Sequence, residues 1–186
     1  MGRARVTVVL ERVAIAVASL LLSIGLIVVL SGYFTAHDPA GVSGAANGPG
    51  RPFADLGAQH LRPGQPRPAY NSNPPTSGAH VPKPVTRDEV ELDDDQLLEA
   101  LALGDVVIMY GTRSPPAGLE ALARSVAGPF NPALAGAGQA VILARRPGTA
   151  GLIGAAWTHL IYVSAPDDPV LKQFAQFWLG RGAPLH

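Results

Sequence analysis

Few residues of this chain have the type and spacing for chemistry, and none of them forms a complete set. His80 closes the segment Tyr70 to Pro82, YNSNPPTSGAHVP. Asn73-Pro74-Pro75 forbids a helix there and Thr76-Ser77-Gly78 signals a tight turn. Tyr70, Asn71, Ser72, Pro74, Pro75, Thr76, Ser77, Gly78 and His80 are therefore read as a rigid binding loop with a fixed imidazole. Ser77 beside His80 has the types of a nucleophile and its base. The Gly-x-Ser-x-Gly elbow is missing, however, and no acid stands ready to orient the imidazole. Asp93-Asp94-Asp95 would attract a cation, but these residues sit at a helix start, where capping and the helix dipole explain them better. The spaced oxygens of a calcium loop are absent. His37 and His60 fall in a Pro/Gly-rich segment, His159 follows Trp157 in a strand region, and His186 ends the chain. No glycine loop for phosphate follows a strand: Gly148 to Gly154 has the wrong spacing and no helix after it. The chain is thus read as non-catalytic.

The elements that must position these residues are legible in part. Asp93 with Gln96 three residues on is a capping-box start, Leu97, Leu98, Leu101 and Leu103 follow, and Gly104 is a stop. Val106 to Tyr110 is a short apolar run that suits a buried strand. Ser114-Pro115-Pro116 offers a cap and first-turn proline for a second helix, with Leu119, Leu122, Ala123 and Val126 on one face and Gly128 at its end. Ala140 to Ala144 reads as a strand. Leu152 to Trp157 and Leu160 to Val163 read as two more, or as one long bent strand. Asp167-Asp168-Pro169 caps a last helix whose stripe is Val170, Leu171, Phe174, Phe177 and Trp178, with Gly180 as its stop. The fold class expected is α/β, a small sandwich in thioredoxin-like or ferredoxin-like order.

Val13 to Phe34 is an apolar run with no charged residue. At about 1.5 Å of rise per residue it spans a hydrocarbon core of roughly 30 Å, so a transmembrane helix is expected. A cleaved signal peptide would have a shorter apolar core and a better cleavage site than Leu30-Ser31-Gly32. Arg3, Arg5 and Arg12 precede the run and the next basic residue is Arg51. The positive-inside rule then puts residues 1–12 in the cytoplasm and the remainder outside the plasma (inner) membrane. Residues 35–69, rich in Pro and Gly without apolar period, read as an unstructured tether, and 70–186 as the extracytoplasmic α/β domain. Small residues Ala14, Ala18, Ser19, Ser23 and Gly25 give the anchor a face that another helix can approach closely. The absence of cysteine excludes disulfides, thiol redox chemistry, iron–sulfur clusters, covalent haem and a lipoprotein anchor. Zero formal net charge gives no electrostatic case for nucleic acid as a partner.

The loop Tyr70 to His80, the strand Val106 to Tyr110, the run Ile153 to Trp157 and the last helix with Phe174 and Phe177 together resemble domain-of-unknown-function family 3105. That resemblance implies a membrane-anchored extracytoplasmic bacterial domain, and no established activity. Members resemble one another in a His-x-x-x-His-Gly segment before the Val-Val-Ile strand. Here Glu99 stands at the first His and Leu103 at the second. Two imidazoles four apart on a helix, converging with the loop histidine, would make a site for copper or zinc. In this chain the candidate metal residues are His80, Glu99 and His159, a reduced set. The leading functional expectation is a non-catalytic accessory or assembly subunit of a membrane complex with no cofactor. It would bind other subunits through its transmembrane helix and external domain, with Pro74, Pro75, Gly78 and His80 holding the surface loop that a partner reads. The alternative is copper or zinc binding and delivery.

Overall fold

A computed structural model of the protein describes residues 48–184. The expected N-terminus, the transmembrane helix at 13–34, the first part of the tether, His37 and His186 lie outside the described residues. Among the described residues no helix is long and apolar enough to cross a membrane.

The described chain is a mixed α/β structure. Strand β1 is Arg51–Pro52, β2 Val90–Glu91, β3 Val106–Tyr110, β4 Val141–Arg145, β5 Leu152–Ala156 and β6 His159–Val163. Helix α1 is Asp94–Leu103, α2 Leu119–Ala127, α3 Pro132–Ala135 and α4 Pro169–Trp178. The six strands form one sheet in the order β1-β6-β5-β3-β4-β2. β3 and β4 run parallel, joined by the crossover through α2 and α3, as a parallel pair requires. β5 returns antiparallel to β3, and β6 antiparallel to β5.

The unbroken apolar run of β3 follows from its central place, covered on both faces. Val107 and Met109 pack with Leu97, Ala100 and Leu101 of α1 on one face. Val106, Ile108 and Tyr110 pack with Leu119 and Leu122 of α2 and Leu171, Phe174 and Trp178 of α4 on the other. α1 therefore lies across the sheet from α2 and α4, and any side chain rooted in one face is screened from the other.

The first helix forms as its capping box dictates: Asp93 accepts the Gln96 amide at 2.9 Å, and Gly104 closes it at φ +116°. α2 differs from expectation. Ser114 and Pro115 each precede a proline, which disfavours the helical region, so the helix begins only at Leu119, after Gly118 at φ +90° and without a side-chain cap. Val170 is exposed rather than part of the α4 stripe, and Ala175 takes that place. The two readings of 152–163 resolve into a hairpin turning at Trp157-Thr158. Thr158 sits at φ +61°, a costly conformation for a β-branched residue. Its backbone is tied on both sides: its N–H donates to Thr76 at 3.0 Å and its carbonyl accepts from Phe53 at 2.8 Å. The turn thereby anchors both the loop and the segment before it.

That segment corrects the tether expectation for residues 48–69. β1 pairs antiparallel with β6. Trp178 donates its indole N–H to Pro49 at 2.8 Å and Trp157 donates to Asp55 at 3.2 Å. The arm lacks an apolar period because backbone bonds and the two indole N–H bonds dock most of it, with Phe53 and Ala58 packed on the core.

Asp105 lies between α1 and β3, 1 % exposed. One carboxyl oxygen accepts the Ala140 amide at 2.8 Å, and the other has no partner among the described residues. Burial pushes its pKa up to about 7, with the amide bond opposing the rise.

Candidate metal centre

The loop that carries His80 is not a free surface. Pro74 through His80 are buried, with Asn73–Pro74 cis. The expectation of a partner-read surface loop gives way to one covered by the arm. Asn71 donates to Ala54 at 2.7 Å, and Gly78 donates to Gly57 at 2.8 Å. The Ser77 hydroxyl donates to Ala54 at 3.3 Å and accepts from Leu56 at 3.1 Å. Ser72 and Thr76 hydroxyls meet at 3.1 Å. Ser77 is thus a staple between loop and arm, not a nucleophile beside a base. Gly78, at φ +131°, is needed as glycine: a Cβ there would stand 2.9 Å from the Tyr70 ring, whose hydroxyl donates to Ala79.

His80 itself is fully buried, and its Nδ1 lies 2.9 Å from the Gly78 carbonyl oxygen. A carbonyl only accepts, so Nδ1 carries a proton and donates it. Nε2 then points at Glu99 on α1, 3.2 Å from Oε2. Either Nε2 holds a second proton, or its lone pair faces a carboxylate. The second arrangement is repulsive unless a cation lies between them.

The third member is His60. The arm runs parallel to the loop at this point: Leu61 donates to His80 at 2.8 Å and His80 donates to Gln59 at 3.1 Å. This bridge sets the two rings edge to face, centroids 5.5 Å apart. Nε2 of His60 stands 3.5 Å from the same Glu99 oxygen. His60, His80 and Glu99 each bring one donor atom within 4.8 Å of the others. Their side chains grade from buried to open: His80 at 0 %, Glu99 at 15 % and His60 at 58 % exposure.

Asp95, one turn before Glu99 on α1, ties the loop to the helix. It accepts the Val81 amide at 3.0 Å and pairs with Arg67. Asp93, besides capping, pairs with Lys83. The triple aspartate is therefore a cap and a loop clamp.

His159 does not join the cluster. It stacks on Trp178 of α4 at 3.9 Å between centroids, on the sheet face away from α1. Its Nδ1 meets Thr158 Oγ1 at 3.0 Å and the Trp157 carbonyl at 3.2 Å, and its Nε2 is buried without a partner among the described residues. Burial lowers its pKa. Strand alternation decides the matter: His159 pairs with Ala156, which faces α4, while its neighbour Leu160 packs on the α1 face. The residue that the sequence did not single out is His60. No spacing near it signals a ligand, since its partners are 20 and 39 residues away.

Fold and cluster together define a class: a small α/β domain with a two-histidine, one-carboxylate donor set under a docked N-terminal arm. Residues 63–184 match the family model described as "Protein of unknown function (DUF3105)", and the chain belongs to that family. His60 lies just outside the matched residues. No curated protein and no solved structure is detectably similar to the chain.

Proposed function

We propose that this protein is a non-catalytic, membrane-tethered, extracytoplasmic domain that binds a zinc ion through Nε2 of His60, Nε2 of His80 and a carboxylate oxygen of Glu99. The observation that carries this reading is the approach of two imidazole nitrogens to one carboxylate oxygen, with the buried imidazole fixed through its other nitrogen to a backbone carbonyl. That second bond is the usual support of a metal-bound histidine, setting its tautomer and direction. The two nitrogen-to-oxygen spacings accommodate zinc. Tetrahedral bonds of about 2.0–2.1 Å put donors about 3.3 Å apart, close to the 3.2 and 3.5 Å found. Glu99 then supplies the donor that the family pattern places at a histidine.

The strand order, a parallel pair with its crossover helix, then an antiparallel hairpin and a closing helix, favours the thioredoxin-like over the ferredoxin-like arrangement. The accessory-subunit reading is compatible with metal binding, the acceptor of the ion being another component of an extracytoplasmic membrane complex. Equilibrium dialysis of the full chain in detergent, against zinc and then copper, tests the proposal. One zinc per chain is expected, with Glu99→Gln retaining less; equal retention by that variant contradicts it.

Asp95 acts on the site as a positioning residue. Asp95→Ala is expected to lower zinc affinity by about 10- to 100-fold, the usual cost of losing a ligand's support. Asp95→Asn, which keeps an oxygen for the Val81 amide, should restore most of it. Zinc titration of both variants, with far-ultraviolet circular dichroism to verify folding, checks this.

A further inference from the structure

We propose that the ion is handed on by ligand exchange, with His60 as the ligand that leaves. The inference rests on the zinc reading above and adds the route by which zinc moves to an acceptor that offers nitrogen, oxygen or sulfur donors. Three protein donors leave one of zinc's four tetrahedral positions to a further ligand. An acceptor can therefore bind the ion before the protein releases it.

The three donors differ in their freedom to leave. His80 is fully buried and its Nδ1 is bound to Gly78. Glu99 is 15 % exposed and rises from a capped helix held against the sheet. His60 is 58 % exposed. Its neighbours hold the backbone, through Leu61 N–H to His80 and His80 N–H to Gln59. Rotation of the imidazole about its own side-chain torsions thus needs no arm to undock and no core to open. As the acceptor's lone pair forms a new bond to zinc, the bond from His60 Nε2 breaks and the nitrogen leaves with its own pair. No electron is transferred, and the ion remains divalent. His80 and Glu99 then hold zinc until a second acceptor donor arrives. The exposed ligand also lies outside residues 63–184, the part that matches the family model.

The test is stopped-flow transfer of zinc from the loaded full chain in detergent to the chromophoric chelator 4-(2-pyridylazo)resorcinol. The rate is expected to rise in proportion to chelator concentration, because the acceptor enters before release. His60→Ala should still bind zinc, more weakly, and transfer it on the order of tenfold faster. His60→Asn, with an oxygen that coordinates poorly, should behave alike and guards against an effect peculiar to alanine. A rate independent of chelator concentration overturns the inference, since the ion would then leave unaided. So does a His60→Ala protein whose affinity and rate match the unaltered chain, or one that binds no zinc. Failure of the unaltered chain to bind zinc overturns the functional reading itself, a different result from any of these.

Discussion

His80→Ala is expected to lower zinc affinity by on the order of 100-fold or more, the largest loss of any single substitution in the chain. Loss of a supporting residue around a metal typically costs 10- to 100-fold, and His80 is a donor whose direction is fixed by the Gly78 carbonyl. Its removal leaves His60 and Glu99, of which His60 is the more exposed. The same change opens a cavity in a fully buried position, so the domain should also lose stability, on the order of 2 kcal/mol. The two effects separate by method. Zinc titration reads the first, and denaturant unfolding without metal reads the second. His80→Asn, nearer in volume, should recover part of the stability and little of the affinity. An affinity loss that tracks stability through both variants would mean that His80 is a packing residue.

Asp105→Asn is expected to remove the share of the pH dependence of stability that Asp105 contributes between about pH 4 and pH 7, while the share of Asp88, whose pKa burial also raises, remains. The folded-state pKa of Asp105 is raised to about 7, burial being the main cause, against the ordinary carboxyl value of 3.8. Between those values the folded state keeps a proton that the unfolded state has released. Stability therefore falls as pH rises through this window and levels off above pH 7. At about 1.4 kcal/mol per pH unit the full effect is on the order of 4 kcal/mol, an upper bound for a carboxyl that also accepts the Ala140 amide. Asparagine keeps that acceptor and cannot ionise, although its NH2 inherits the place of an oxygen that lacks a partner. The slope is therefore the cleaner readout than the value at one pH. Both tryptophans, Trp157 and Trp178, belong to the folded domain, so their fluorescence follows its unfolding in the full-length protein. Equal slopes for the two proteins would show that Asp105 does not titrate in this range.

What the sequence made legible was local. Asp93 and Gln96 stand three apart and cap α1 through bonds that need nothing else from the fold. Val106 to Tyr110 is apolar because both its faces are covered, and that is visible in the residues themselves. The helix face of Leu119, Leu122 and Ala123 could be read from its period, but its starting point could not. There two consecutive prolines delayed the helix, although the same prolines resemble a first-turn signal. The rigid loop ending in His80 was legible from Asn73-Pro74-Pro75, and Glu99 from its alignment with the family pattern.

The arm was not legible, for a physical reason. Its docking depends largely on backbone bonds such as Leu61 to His80 and Gly78 to Gly57, which any sequence can make, and its core contacts, Phe53 and Ala58, are too few to show a period. His60 thus looked like a tether residue, although it stands beside His80. His159 went astray for a related reason. Which face it occupies depends on where the hairpin turns, and Thr158 turns it in a conformation that threonine rarely adopts. Had the turn fallen one residue away, His159 would have faced α1. Long-range pairing thus decided both the missing ligand and the misplaced one.

Calorimetric titration of the purified full chain in detergent decides whether His60, His80 and Glu99 form one zinc site. Saturation at one zinc per chain is expected, with a dissociation constant of about 1 μM or tighter, weakened in His60→Ala, Glu99→Gln and, most, His80→Ala. No saturable binding up to roughly 1 mM zinc, or binding that His80→Ala leaves unchanged, would contradict it.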